Sequence, residues 1–334
     1  MKELIRKLVE AWGPSGYEHR VRALIREEVA PYADSITEDA LGNLICRVGQ
    51  GGTKIMIAAH MDEIGIMTTY VEKNSGYLRF INLGGLMQNT LMGNRVQFED
   101  GTIGVVVAPE YMTTNRTSVP SELDAYYVDV SDGESVQPVS IGPGSPATFW
   151  RNMEERGTRL ISKAMDDRIG CVVAIEAMKH LNKQTSNELY FVFTVQEEVG
   201  LRGARPAAFN VNPDLAIALD VTGTGDYPDN GRMGVKLGGG AAIKLHDPGH
   251  IVPLAVRNWM TQHAEEGKIP HQFELLKGGT TDSSGIQISR AGIPSGTISI
   301  PCRYVHTTSE TVDIRDVEAC VNLLVSLTSK PATL

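Results

Sequence analysis

A chain of 334 residues, 42% of them hydrophobic, is long enough for one large or two moderate domains around a sizeable core, and so for an enzyme. With 40 acidic residues against 31 Lys and Arg, its formal charge of -9 favours solubility and argues against nucleic acid or an anionic membrane as a partner. Four scattered cysteines (Cys46, Cys171, Cys302, Cys320) with no C-x-x-C argue against a thiolate metal site or a disulfide framework, and the chain has neither a signal-peptide core in "MKELIRKLVEAW" nor an apolar span of membrane length, so a cytoplasmic setting is expected.

Leu4, Ile5, Leu8, Val9 and Trp12 recur at helical spacing, and Gly13-Pro14-Ser15-Gly16 stops that helix before a second one led by Val21, Leu24, Ile25 and Val29. Short strands are expected over about 43–48 and 54–59, the second an apolar run of the kind buried in a mostly parallel sheet. From about Val71 to Leu160 the texture changes to short strands such as "GYLRFINL", "RVQFEDGTIGVVV" and "AYYVDV", separated by Gly, Pro and Asp-Gly turn signals. Helical periodicity returns at Ile169, Val172, Val173, Ile175 and Met178. Helix and strand then alternate through "LYFVFTV", "LAIALDV" and "GTISI" to a last helix over Val317 to Leu327. This pattern predicts an α/β catalytic domain with a doubly wound, mostly parallel sheet, built from residues 1–70 and 161–334, and an inserted small β-barrel-like domain at 71–160. The α/β portion is expected to supply the whole site, leaving the insertion, with exposed strand edges, for contacts with a partner.

Five pieces of sequence carry chemistry. His60 and Asp62 in "AAHMDEIG" point the same way from a strand end, which alone suits an ordinary hydrogen bond, and Asp166 and Asp167 in "KAMDDRIG" alone suit a helix cap. Asp220 in "IALDVT" and His306 in "RYVHTTSE" each have an equally plain structural reading. The adjacent Glu197 and Glu198 in "TVQEEVG" follow an apolar run, where two like charges are costly. Taken together, four of the five groups follow runs that read as buried parallel strands and the fifth starts a helix, so all converge on the carboxyl edge of the sheet. Carboxylates and imidazoles gathered there call for cations. Two divalent ions balance three ligand carboxylates and one bridging hydroxide. Neighbours on a strand cannot reach one ion from the same side, so one of Glu197 and Glu198 is expected to bind metal and the other to handle the proton of the attacking water. Oxygen and imidazole donors without thiolate suit zinc, cobalt or manganese in an open catalytic site. The other histidines read as surface or packing residues, with His246 and His250 near "DPGH" having a minor claim on the pocket.

At this point "AHMDEIG", "SKAMDDRIG", "VQEEVGLRGA", "ALDVT" and "RYVHTTSE", in that order, resemble the dinuclear metallo-aminopeptidases that form tetrahedral particles, a family of glutamyl and leucyl aminopeptidases in which some members are named endoglucanase. "GPSGYE" and "DALGNLI" extend the resemblance to nearly the whole chain; the family's "GGTD" appears as "GGTTDSSG", one threonine longer. The resemblance implies that Asp166 rather than Asp167 bridges two metals, that His60 and Asp220 complete one ion, and that Glu198 and His306 complete the other. Glu197 is then the general acid/base of peptide hydrolysis, acting on a water held between the ions, and Asp62 orients His60. It further implies an exopeptidase acting on short peptides, with the insertion pairing subunits into dimers and six dimers closing into a dodecamer. No basic residue is marked out to receive an acidic side chain, so a neutral, leucine-like preference is expected. A glycosidase is the first alternative, but adjacent glutamates cannot directly flank a bond at roughly 5 to 9.5 Å, and an aromatic content of 6% offers few sugar platforms. A non-catalytic protein that uses metal only to stabilise an assembly is the second, and it leaves one glutamate without a task.

Overall fold

The structure, a computed structural model, describes residues 1–73, 75–113, 120–132, 140–228 and 233–334. At its centre four strands run parallel: Lys54–His60 lies between Glu188–Thr194 and Leu215–Thr222, and Ser295–Arg303 lies beyond the last of these. The first three are apolar at almost every position because helices cover both faces, whereas Ser295–Arg303 alternates buried Ser295, Thr297 and Ser299 with residues such as Ile298 and Ile300. The flanks are antiparallel. Leu44–Val48 and Ser35–Glu38 close one side, and Glu310–Asp313, Arg159–Ser162 and Glu154–Arg156 extend the other. Ala241–Asp247 also pairs antiparallel with Ser295–Arg303 and carries His271–Leu275 beside it. The α/β sheet is thus mixed, parallel in the middle where the site was expected.

One face is covered by the helices Lys2–Val9, His19–Val29, Met165–Leu181, Leu254–Glu266 and Ile314–Ser329, which share one apolar core with the strands. The predicted stripe Val317, Val321, Leu324 and Leu327 is buried, and Asp313 caps that helix by accepting from the Arg315 amide. The other face takes the shorter helices Ala204–Val211 and Asp282–Gln287, where Ala204, Ala207 and Ala208 allow close packing on Met56, Ala58 and Ala216. Trp12 lies beyond the first helix and donates from Nε1 to the Gln97 carbonyl.

The insertion is a six-stranded closed barrel, in the order Gly65–Val71, Leu78–Leu83, Tyr127–Asp129, Ile103–Val107, Arg95–Phe98, Pro146–Phe149, around its own core of Ile66, Phe80, Phe98, Val106 and Phe149. Two expectations need correction. The barrel strands start at Gly65 and end at Phe149, not at 71 and 160, since Glu154–Arg156 and Arg159–Ser162 return to the large sheet. The first barrel strand begins at Gly65, inside "AAHMDEIG", so the change of sheet falls within the motif and is masked by it. Closure also pairs the barrel's strand edges with one another, so edges left open are not what this domain offers a partner. Among the described residues no helix is long and apolar enough to cross a membrane.

Candidate metal centre and active site

The carboxyl ends of the four parallel strands bring the five predicted pieces together. His60 is the last residue of its strand and Asp220 lies near the end of the next, while Glu197 and Glu198 follow Thr194, and His306 follows Arg303. Asp166 and Asp167 open the Met165–Leu181 helix with non-helical dihedral angles. Asp166 spans two imidazoles: its Oδ1 is 3.1 Å from His60 Nε2 and its Oδ2 is 3.3 Å from His306 Nε2. Glu198 Oε2 is 3.2 Å from the same His306 nitrogen, and Glu197 Oε2 is 3.8 Å from His60 Nε2. Asp167 accepts instead from the backbone amides of His60 and Gly170. Among the described residues, His60, Glu197 and Asp220 offer ligand atoms within 4.8 Å of one another, and so do His60, Asp166 and Glu198.

The two glutamates sit in a turn beyond the strand, so strand alternation does not separate them. Their backbone is held by carboxylates. Asp62 Oδ1 accepts from the Glu197 amide at 3.0 Å and its Oδ2 from the Glu198 amide at 3.2 Å and from Ser15 Oγ at 2.6 Å. His60 Nδ1 contacts the Asp62 carbonyl at 3.2 Å, with Oδ1 at 3.5 Å, so Asp62 addresses the histidine mainly through its backbone and the glutamate turn through its side chain. Three further carboxylates carried no predicted role. Glu18 accepts from the Gln196 amide, and Glu310 accepts from the amides of both Asp166 and His306, at 3.1 and 2.8 Å. Gln196 and His306 both hold the left-handed backbone (φ 55° and 63°) that costs a side-chain-bearing residue of order 1 kcal/mol, and each is tied there by a buried acid. Asp282, at the heart of "GGTTDSSG", accepts from Thr194 Oγ1 behind Glu197. Ser15, Glu18, Asp282 and Glu310 all stand in stretches that sequence comparison picks out, but only folding shows which backbone each one reaches.

Electrostatics separate the cluster. Burial drives the carboxyls of Glu197, Glu198 and Asp220 upward, with Asp166 adding to the shift at Glu198 and Asp220, and Asp220 adding to it at Glu197. Asp166 goes the other way, because hydrogen bonds to His306 and His60 outweigh its burial. Burial opposes protonation of His306, yet Asp166 and Glu198 push its imidazole up to about 12. Acids that resist ionising beside imidazoles that hold extra protons are the mark of a negative surplus in a low-dielectric place, and cations relieve it. The donor set fits divalent ions. It contains carboxylate oxygens and imidazole nitrogens only, Glu198 Oε1 is buried with no hydrogen-bond partner among the described residues, and the nearby thiol of Cys171 is spent on the His60 carbonyl.

The cluster lies in the floor of a cleft of about 610 Å³. Asp166, Glu197, Glu198, Asp220 and His306 line it together with Thr222, Thr280 and Thr281, and Leu201, Val221 and Leu276 add apolar side chains; among the described residues no Lys or Arg lines it. His246 and His250 do not line it; His250 is buried and its Nδ1 is 3.0 Å from Ser283 Oγ. The α/β portion does not supply the whole site, contrary to expectation: the barrel contributes Gly85 and Met87 to the lining. "NLGGLM" carries no titratable group, so the search for chemistry in the sequence passes over it.

The sequence matches the M42 glutamyl aminopeptidase family over residues 42–323. It is 35% identical to a lysyl aminopeptidase of Pyrococcus furiosus over 97% of this chain and 96% of that one. Among solved structures, an aminopeptidase of the archaeon Desulfurococcus kamchatkensis is similar at 39% identity and a TM-score of 0.91, covering 98% of this chain and 94% of that one. The Pyrococcus horikoshii TET1 peptidase, described as assembling into a tetrahedron or a large octahedral shell, is similar at 33% identity and a TM-score of 0.86, with 98% of both chains covered. Family match and relatives agree with the acid and histidine cluster in the cleft: this chain belongs to the M42 glutamyl aminopeptidase family and is a peptide hydrolase.

Proposed function

We propose that the protein is a dinuclear metallo-aminopeptidase that removes neutral, leucine-like residues from the N-termini of short peptides in the cytoplasm. The observation that carries this reading is Asp166 spanning His60 and His306, with Glu198 on one side and Glu197 and Asp220 on the other. Asp166 would be shared between two ions, with His60 and Asp220 holding one and Glu198 and His306 the other. Zinc or cobalt suits these donors, and manganese is also compatible. Bound there, the ions supply Lewis acidity toward the scissile carbonyl and toward the attacking water.

Glu197 takes the proton from that water and returns it to the leaving amine. Its raised affinity for protons, caused first by burial, suits a group that must hold a proton between the two events. Asp62 fixes Glu197 through the peptide amide, so the side chain is left free for the transfer. The cluster of carboxylates and the absence of Lys and Arg from the lining favour a substrate's cationic α-amine and disfavour an acidic side chain. Leu201, Val221 and Leu276 offer an apolar wall to a neutral one.

Chelation is expected to abolish hydrolysis of unblocked leucyl peptides, and added zinc or cobalt to restore it. Equal turnover of N-acetylated peptides, or activity untouched by chelation, defeats the assignment.

A further inference from the structure

The barrel reaches the reacting groups through one short loop. Gly84 and Gly85 follow the Leu78–Leu83 strand and press directly on the site: a Cβ at Gly84 would lie 3.0 Å from Glu198 Oε2, and one at Gly85 would lie 2.8 Å from His306 Nδ1. Gly84 also has φ +83°, where a side chain is strained whatever the space. Only glycine lets the backbone come this close.

The next two residues part ways. Leu86 turns into the barrel core at 9% exposure, whereas Met87 lines the cleft and is 46% exposed. The backbone of Met87 is not free to wander. Its carbonyl accepts from the Thr90 amide at 2.9 Å and from Thr90 Oγ1 at 2.8 Å, and Tyr126 OH donates to the following Gln88 carbonyl at 2.8 Å. A rigid platform therefore presents one unbranched, polarisable, half-uncovered side chain to the space above the metal ligands. Its apolar surface stays in water until something in the cleft covers it.

Resting on the aminopeptidase reading, we propose that Met87 is a specificity-determining residue, a contact from the barrel for an apolar side chain of the bound peptide. The barrel then selects substrate as well as any part it plays in assembly. Of the two glycines and the methionine, Met87 is the position where the chain can change its preference without disturbing Glu198 or His306.

The test uses the full-length, metal-loaded protein and its Met87→Glu, Met87→Ala and Met87→Leu variants. Two free-amine tripeptide sets serve as substrates, Leu-Ala-Ala, Lys-Ala-Ala and Glu-Ala-Ala, and Ala-Leu-Ala, Ala-Lys-Ala and Ala-Glu-Ala, with metal content measured in parallel. Met87→Glu is expected to shift the Lys to Leu ratio of kcat/KM toward Lys by about ten-fold in one set, the lower end of what a contact in an apolar pocket discriminates. Met87→Ala is expected to lower the preference for Leu in that same set, and Met87→Leu to keep the parent ratios, with metal content unchanged throughout. Ratios that stay fixed in every variant, or losses that are uniform across both sets, overturn the proposal while leaving the aminopeptidase reading intact. A parent enzyme inactive on all six peptides sinks that reading, and this proposal with it.

Discussion

Glu197 and Glu198 are one peptide bond apart, yet their carboxylates meet different neighbours. Glu198 faces His306 and Asp166, and its second oxygen has no hydrogen-bond partner among the described residues, as suits a ligand. Glu197 faces His60 with Asp220 and Asp282 around it. In the roles proposed, Glu197→Gln is expected to lower kcat by about 10²-fold or more, the scale of a lost general acid/base, with both metals retained. Glu198→Gln is expected instead to weaken one metal. Elemental analysis decides, and metal lost from the first variant but kept by the second reverses the assignment. The side chains gathered here were legible as residue types, because His, Asp and Glu at strand ends are conspicuous. The separation of the two glutamates was not, since it depends on a turn whose amides are gripped by Asp62, a contact between segments 135 and 136 residues apart.

Among the elements, three of the parallel strands were readable from their apolar runs, the fourth from the shorter "GTISI", and the last helix from its stripe of Val317, Val321, Leu324 and Leu327. The barrel was readable as a change of texture but not in its limits or closure, because pairing between Gly65–Val71 and Pro146–Phe149 is non-local and no short-range turn announces it. The same difficulty hid Glu310. It begins the Glu310–Asp313 strand, and its two oxygens accept from the amides of Asp166 and His306, so one carboxylate fixes the start of a helix and the loop before a strand. Its own carboxyl is driven up by burial and by Asp166, so the native hydrogen bonds hold it in place against a cost. In Glu310→Gln the amide can accept through only one of its two arms, and the other presents N–H to N–H. That variant is expected to bind metal about 10- to 100-fold more weakly, the usual penalty for losing an outer partner of ligands. Competition with a chromogenic chelator measures it, and an unchanged affinity removes Glu310 from the supporting shell.

For the whole molecule, we propose a homo-dodecamer built from dimers, with the barrel pairing subunits. The likeness to a peptidase described as forming a tetrahedron or octahedral shell supports it. Light scattering of the metal-loaded protein at micromolar concentration is expected to give roughly twelve times the 36.3 kDa chain mass. A stable, fully active monomer counts against self-association, whereas an active dimer counts only against the closed particle. The site itself has a consequence for how the protein is made. Its proposed members sit at positions 60, 166, 197, 198, 220 and 306, on strand ends, the turn and loop that follow them, and one helix start, brought together at one edge of the central sheet. During synthesis His306 emerges after every other proposed member, so, on that assignment, a growing chain would carry the other parts of the site before it could act. On the ligand set proposed, the order of translation would withhold the last imidazole until the strands it joins have been made.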